Sequence, residues 1–433
     1  MLDSNLFTAG KRIYRTTKPT IPTLKSNNTS FKTDHDKAVI LNQTFLANSS
    51  IPTKMQKKFK KNQIKPKTIA TINNLLTTTT ITHEAKLKFQ PNMTSQPVNP
   101  TLIEKITELW ETGANPTTMS SLTTSELTTA HISKREIWVA RKALSVKKAH
   151  KGLNNYILKH SGAGLDKMLF FSINILFFSN YWPTEMRTAS IFALFKPSKP
   201  SRSDPSNYRG ISILDGVSKI FDKILYNRIS EIVSRNKPLD DRQMGGRKSR
   251  GATLHLIRVC EYLNETVNTS KHSVLALLDV SKAFDRMNRA QILHKLSLAG
   301  ITGNLLNTIA AFLTQRQQFT TVNGHHSDKV TTDLGSPQGS ALSMFLFLIY
   351  FDDNTQDAAN TNYGIFVDDE ALWVHGQRMP IVVDNINQTF QKLHKWSLRN
   401  SVVFAAEKFH LFDLTPRPKR KSNLEKWYRN SNN

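Results

Sequence analysis

The sequence predicts an α+β fold, and three observations carry that expectation. Two apolar, strand-length runs, Val274 to Leu278 and Tyr363 to Val367, each lead directly into aspartate. Apolar residues at helical spacing precede them: Leu102, Ile103, Ile106, Leu109 and Trp110, then Ile137, Trp138, Ala140 and Leu144. Between the two strands a loop with one proline and two glycines, Gly335-Ser336-Pro337-Gln338-Gly339-Ser340, enters the apolar stretch Met344 to Phe351.

Along the chain, the first hundred residues differ in texture from the rest. They hold 16 Lys or Arg against 4 Asp or Glu, are rich in Thr, and contain one glycine, Gly10. Lys57-Lys58-Phe59-Lys60-Lys61 is a basic cluster around a single aromatic. This composition favours a disordered or nucleic-acid-contacting arm over residues 1–100. The periodic segment that follows is a helical lead-in, residues 101–165. Met168 to Trp182 is apolar over 15 residues, short of the roughly 20 that a membrane span needs. It is therefore expected as a buried helix, and so is Ala341 to Phe351.

Val274 to Asp279 is a buried-strand run that ends in a carboxylate. Gly364 to Trp373 reads as a hairpin, with a strand from Tyr363 to Val367, Asp368-Asp369 at the turn and a return strand from Ala371 to Val374. Either aspartate feature alone has a local explanation, because Asp bonds its own backbone at turns and strands often end in it. If the strands are neighbours in one sheet, their carboxylates converge at one edge. Hard oxygen ligands of this kind suit Mg²⁺, and two such ions about 3.5–4 Å apart clamp an in-line phosphoryl transfer. The residues by themselves point to phosphoryl or nucleotidyl transfer. The loop between the strands is a rigid turn with close backbone access. Ser340 or Ser343 caps the helix after it, or the segment is an ordinary loop entering a core helix.

Taken in order, three segments resemble the palm of a reverse transcriptase: Leu278-Asp279-Val280-Ser281-Lys282-Ala283-Phe284-Asp285, then Gly335-Ser336-Pro337-Gln338-Gly339-Ser340, then Phe366-Val367-Asp368-Asp369. More narrowly, they are similar to the non-LTR (LINE-like, jockey-type) retrotransposon polymerases. Phe195-Lys196-Pro197 and Asp204 to Leu214 resemble that family's finger motif, and Gln243-Met244-Gly245-Gly246-Arg247-Lys248-Ser249 resembles the next one. Glu407-Lys408 resembles the family's late palm lysine. The resemblance implies right-hand polymerase fingers and a ferredoxin-like palm over 166–415, followed by a basic tail, 416–433. Nineteen residues follow Leu414, so the thumb is expected to be truncated. Nothing in 1–130 resembles an endonuclease.

The resemblance also implies roles. Asp279 and Asp368 would hold Mg²⁺ or Mn²⁺, Asp369 would support them, and the Val280 carbonyl would add a ligand. Phe284 matches the aromatic gate that rejects a 2′-hydroxyl, its other reading being a core aromatic. Gln338 matches the glutamine against the incoming nucleotide, and Lys196 and Arg209 match the finger cations that grip its phosphates. The implied function is RNA-directed DNA synthesis from an RNA template, a DNA primer and deoxynucleoside triphosphates. One alternative is a decayed retroelement remnant that only binds nucleic acid. A two-metal nuclease would explain the aspartates but not Phe284 or the Ser-Pro-Gln-Gly loop. The chain departs from the family at Gly210, Gly246 and Met344, at Phe366 and Val367, and at Lys148-Ala149-His150-Lys151-Gly152-Leu153. Glu370 after the Asp pair is also unusual; it either raises its neighbours' pKa values by repulsion or points to solvent.

Composition bounds the rest. A net charge of +26 over 433 residues implies a polyanionic partner or a broad solvated basic surface, and 39% hydrophobic residues permit a sizeable core. One cysteine, Cys260, excludes a disulfide framework and a multi-cysteine zinc site. No apolar secretory core opens the chain. The expected location is intracellular, nucleus or cytoplasm, with no membrane.

Overall fold

This computed structural model describes residues 21–27, 29–49, 99–112, 119–149, 151–197, 199–269, 272–354 and 361–415, which contain eleven strands. They are β1 (Leu24–Ser26), β2 (Thr29–Phe31), β3 (Thr188–Phe195), β4 (Tyr208–Ile213), β5 (His272–Asp279), β6 (Arg316–Val322), β7 (His325–His326), β8 (Val330–Thr332), β9 (Asn362–Phe366), β10 (Asp369–Gly376) and β11 (His410–Asp413). Helices accompany every sheet, so the fold is α+β. The chain divides into two compact units, each discontinuous in sequence.

The first unit takes the chain up to Leu239, Lys282–Tyr350 and Arg399–Val402. Its main sheet has the order β4-β3-β6-β7, with β8 also on β6. It is mixed, because β3 pairs antiparallel with β4 and parallel with β6. Ala189, Ile191 and Ala193 alternate along β3 and bury one face. That face is covered by the helix Asp34–Asn48, whose N-terminus is capped by Thr33 accepting from the Asp36 N–H (3.1 Å). Ala38, Leu41 and Phe45 from this helix join Leu24 of β1 in the same core.

This differs from the expectation of a disordered arm over 1–100. Within it, residues 21–49 contribute a hairpin and a helix to the core. The high Lys and Thr content of the hundred residues averages over one apolar stretch, Ala38 to Phe45, of which Ala38, Leu41 and Phe45 are buried. The Lys57–Lys61 cluster lies outside the described residues, as does the tail 416–433.

Helices build the rest of this unit. After Asp34–Asn48 the next described helices are Pro100–Glu111, Thr124–Thr129, Lys134–Lys142 and Asn155–His160. The apolar run Met168 to Trp182 is largely the helix Ala163–Phe178, which buries Leu169, Phe170, Ile173 and Phe177, and Trp182 beyond it stacks on Phe221 at 4.8 Å between centroids. Met168 itself is exposed. Fully buried Arg228 forms a two-pronged pair with Glu136 (2.7 and 3.0 Å) and also donates to the Ala130 and His131 carbonyls (both 2.8 Å). Burial opposes ionisation of Glu136, but Arg228 overrides it and holds the carboxyl below its usual range. Among the described residues no helix is long and apolar enough to cross a membrane.

The second unit comprises Asp240–Ser281, Phe351–Leu398 and the chain from Val403 onward. Its sheet, β11-β5-β10-β9, is antiparallel throughout. One face carries Leu275, Leu277, Ala371 and Trp373 against Val259, Tyr262 and Leu263 of the helix Ala252–Asn268. On the other face Val274, Ala276, Leu278, Leu372 and Val374 are buried. Both faces of β5 are therefore covered, which is why its sequence reads as a continuous apolar run.

Because Phe45 is 5% exposed inside the first unit's core, Phe45→Ala should lower the unfolding free energy by about 3–5 kcal/mol. Denaturant titration followed by circular dichroism reads this, and an unchanged stability would mean that the helix Asp34–Asn48 is a detached arm.

Candidate active site

Strand register brings the carboxylates together. β10 runs antiparallel to β5 with Asp369 opposite Asp279 and Leu277 opposite Ala371. Directly opposed residues of an antiparallel pair share a face, with Cβ atoms about 4.5–5.5 Å apart. Two like charges are thus set against each other at one end of the sheet. The Asp369 carboxyl is raised above its usual range, first by loss of solvent and then by Asp279, against the lowering effect of Lys408. Lys408 forms an ion pair with Asp279 and donates a hydrogen bond to it. It sits in the short 3₁₀ turn Ala406–Lys408, where the Ala405 N–H bonds the Asp279 carbonyl (2.8 Å).

The hairpin differs by one residue from the sequence expectation. Phe366 pairs with Asp369, so the two-residue loop is Val367-Asp368, and Asp369 opens the return strand. Val367 has φ +63°. A β-branched residue rarely adopts this conformation, so the sequence assigns Val367 to the strand. Asp279, Asp368 and Asp369 all lie at this end of the sheet, Asp368 within the loop itself.

Val280 continues from β5 into a bridge with Phe404. The flanking bonds use the Ser281 N–H (to Val403 O, 2.7 Å) and the Asp279 carbonyl, so the bridge leaves the Val280 carbonyl out. The donor set of carboxylates and one carbonyl is hard oxygen and fits Mg²⁺ or Mn²⁺. Among the described residues no group of three or more His, Cys, Asp or Glu is assembled as a ready cage.

Glu370 neither repels its neighbours nor faces water. Strand alternation turns it to the opposite side from Asp369, opposite Leu278, where it is 2% exposed. Its Oε2 accepts from Asn354 Nδ2 (3.0 Å) while its Oε1 has no partner. Burial pushes its pKa up to about 8, against that hydrogen bond, so the side chain is largely protonated at neutral pH.

The remaining expected residues belong to the first unit. Lys196 follows β3 directly, and its Nζ donates to Ser206 O (3.0 Å). Arg209 lies exposed on β4, in register with Leu194. The charges of both act on the Asp285 carboxyl, as do those of Lys282 and Arg286. Burial nevertheless pushes the Asp285 carboxyl up to about 6 against these four cations. The Phe284 ring packs on Phe347 (5.1 Å), and its carbonyl accepts from Ser336 N (3.0 Å). Gln338 is tied to β4, its carbonyl accepting from Ser212 N (2.8 Å).

Sequence reasoning missed the residues that hold this loop. Arg289, 8% exposed, donates to the carbonyls of Thr332 (2.7 Å), Leu334 (2.9 Å) and Gly335 (2.9 Å). Gly335 has φ +76°, and a Cβ there would lie 2.5 Å from the Asp285 carbonyl oxygen. The glycine carried a signal in the sequence, but nothing local marks Arg289. Ser340 caps the helix Ala341–Phe351, accepting from Ser343 N (3.2 Å).

The Gln243–Gly245 segment also acquires a place. It lies beside β9, with Met244 N donating to Ile365 O (2.7 Å) and Ile365 N to Arg242 O (3.0 Å). A Cβ at Gly245 would lie 2.5 Å from Val367 N and 2.8 Å from the Phe366 carbonyl carbon.

The family described as Reverse transcriptase (RNA-dependent DNA polymerase) matches residues 196–421, just over half of the chain. The RNA-directed DNA polymerase from mobile element jockey of Drosophila melanogaster is 25% identical over 235 residues, covering 53% of this chain and 25% of that protein. The probable RNA-directed DNA polymerase from transposon BS of the same organism is 26% identical over 221 residues, 50% of this chain and 24% of that protein. A retrovirus-related Pol polyprotein from type-1 retrotransposable element R2 of Popillia japonica is 28% identical over 171 residues, 39% and 23% of the two chains. The chain spans about a quarter of the length of these curated relatives.

Two of the three atoms that crowd Gly245, Val367 N and the Phe366 carbonyl carbon, are backbone and cannot swing aside; the third is Val367 Cγ2. Gly245→Ala should therefore destabilise the protein by about 1–3 kcal/mol, read as a lowered Tm. An unchanged Tm would show that the hairpin turn is free to move.

Proposed function

The chain belongs to the reverse transcriptase family, and on that premise we propose that residues 166–415 work as the fingers and palm of an RNA-directed DNA polymerase. The reverse transcriptase domain is of the non-LTR retrotransposon type, as its jockey, BS and X-element relatives are. One observation carries the reading: Asp279 and Asp369 are register partners at the sheet end where the Val367-Asp368 loop closes the hairpin.

Asp279, Asp368 and the Val280 carbonyl would hold Mg²⁺ or Mn²⁺, with Asp369 beside them. Bound there, divalent metal lowers the pKa of a primer 3′-hydroxyl and neutralises the leaving pyrophosphate. The chain's own residues supply position and charge. Lys408 pairs with Asp279 and orients it. Lys196 and Arg209, at the end of the β3–β4 pair, would take the triphosphate as a point charge and a planar fork. Lys282 and Arg286 add positive charge around the same point, and Asp285 limits it. Phe284 would close the sugar pocket against a 2′-hydroxyl, its ring backed by Phe347. Gln338, fixed through its carbonyl to β4, would lie along the incoming nucleotide. A net +26 charge supports a grip on the template and primer backbones.

Primer extension on an RNA template with Mg²⁺ or Mn²⁺ tests this reading. Wild-type protein should incorporate deoxynucleotides, and Asp368→Asn should abolish incorporation while leaving Tm within a few degrees. A wild-type chain that binds the RNA–DNA duplex but never extends it would establish the non-catalytic remnant instead.

Phe284→Val should admit ribonucleotides far better than the parent, seen as a rise in kcat/KM for the ribonucleotide relative to its deoxy counterpart. An unchanged preference would return Phe284 to a packing role on Phe347.

A further inference from the structure

We propose that Gln243 is a positioning residue for Asp368, holding the strained turn that aims this carboxylate; the inference rests on the proposed metal-binding role of Asp368. The turn needs such support. In a two-residue hairpin loop whose first member alone has positive φ, glycine is the usual occupant. Here that place is taken by Val367 at φ +63°. A residue held in this region costs on the order of 1–3 kcal/mol and persists only where its surroundings over-determine it.

Gln243 supplies that determination. Its side chain is 0% exposed. Its Oε1 accepts from the Val367 N–H (3.0 Å), and its Nε2 donates to the Val367 carbonyl (3.4 Å). One amide group thus bonds both peptide groups that flank the Val367 Cα, and together these restrain φ and ψ. The same Oε1 accepts from the Gly245 N–H (3.0 Å), so two N–H donors fix which end of the amide is oxygen. Gln243 is in turn held by its own backbone, since the bonds of Met244 and Arg242 to Ile365 dock the segment alongside β9. Gly245 lets the two backbones approach to the distance this requires.

The consequence falls on the next residue. The Val367 ψ sets the direction of the Val367–Asp368 peptide and hence where the Asp368 carboxylate stands relative to Asp279 and Asp369. Released from Gln243, Val367 relaxes toward negative φ and carries Asp368 off the end of the sheet. The Gln243-Met244-Gly245 motif, 124 residues before the loop it serves, then has a mechanical role in the chemistry without touching substrate or metal.

The test uses the full chain as wild type, Gln243→Met, Val367→Gly and the double variant. Methionine keeps the volume and removes both hydrogen bonds; glycine adopts positive φ without support. Two readouts are taken on folded protein: Mn²⁺ affinity by electron paramagnetic resonance, and the amide resonance of Asp368 in ¹⁵N-aspartate-labelled, metal-free protein. Gln243→Met should weaken Mn²⁺ binding by about 10–100-fold and shift the Asp368 resonance. Adding Val367→Gly should recover most of the affinity and move the resonance back. Should Gln243→Met not fold, Gln243→Glu replaces it, keeping the acceptor and losing the donor. Unchanged affinity with an unmoved resonance would overturn the proposal, as would a loss that Val367→Gly does not recover, which would mark ordinary core packing. A wild-type chain that binds no Mn²⁺ sinks the metal reading, and the metal-free spectra still decide the clamp.

Discussion

Two carboxylates face one another across adjacent strands, and the second unit is organised around tolerating that arrangement. Opposed like charges on neighbouring strands disfavour pairing. Asp279 and Asp369 are nevertheless the last pair of a ladder running from His272–Gly376 to this end. The seven preceding pairs, clad on both faces by apolar side chains, supply the cohesion. Lys408 compensates at the point of repulsion by pairing with Asp279, and it arrives from a turn hydrogen-bonded to the Asp279 backbone.

The same solution to a backbone problem recurs in each unit. In the second, the Gln243 amide holds a turn in a conformation that its valine disfavours, and Gly245 permits the close approach. In the first, the Arg289 guanidinium gathers the carbonyls of Thr332, Leu334 and Gly335, and Gly335 permits contact with the Phe284–Asp285 backbone. Both use a buried side chain with several donors or acceptors to bond backbone groups that no regular element would satisfy. In both, a long sequence separation lies between the holder and the loop it holds.

Buried acids divide into two kinds. Glu136 stays ionised because Arg228 pairs with it directly, whereas Glu370 has only an asparagine and is protonated near neutral pH. That protonation lets Glu370 follow Asp369 in the chain without adding a charge. It acts as a neutral hydrogen-bonding group on the far face, contributing no charge to the site. Asp285 lies between these cases, its carboxyl raised by burial despite four surrounding cations.

The sequence by itself determined the order and kind of the chemical parts. Apolar runs ending in aspartate located β5 and the hairpin, because strands covered on both faces leave an uninterrupted apolar signature. The family resemblance assigned the motifs, because each motif is a short contiguous run that can be matched without knowing its neighbours in space. Tertiary structure alone decided three things. The helix Asp34–Asn48 is core because its partners, Ala189, Ile191 and Ala193, lie some 150 residues away, while the composition of the first hundred residues as a whole is dominated by basic residues and threonine. The turn falls at Val367-Asp368 because Gln243 stabilises a conformation that valine disfavours on its own. Glu370 is buried and neutral because register sets it opposite Leu278, and a one-residue slip would reverse the faces of Glu370 and Asp369. In each case the deciding energy comes from a distant segment, and local sequence carries no record of it.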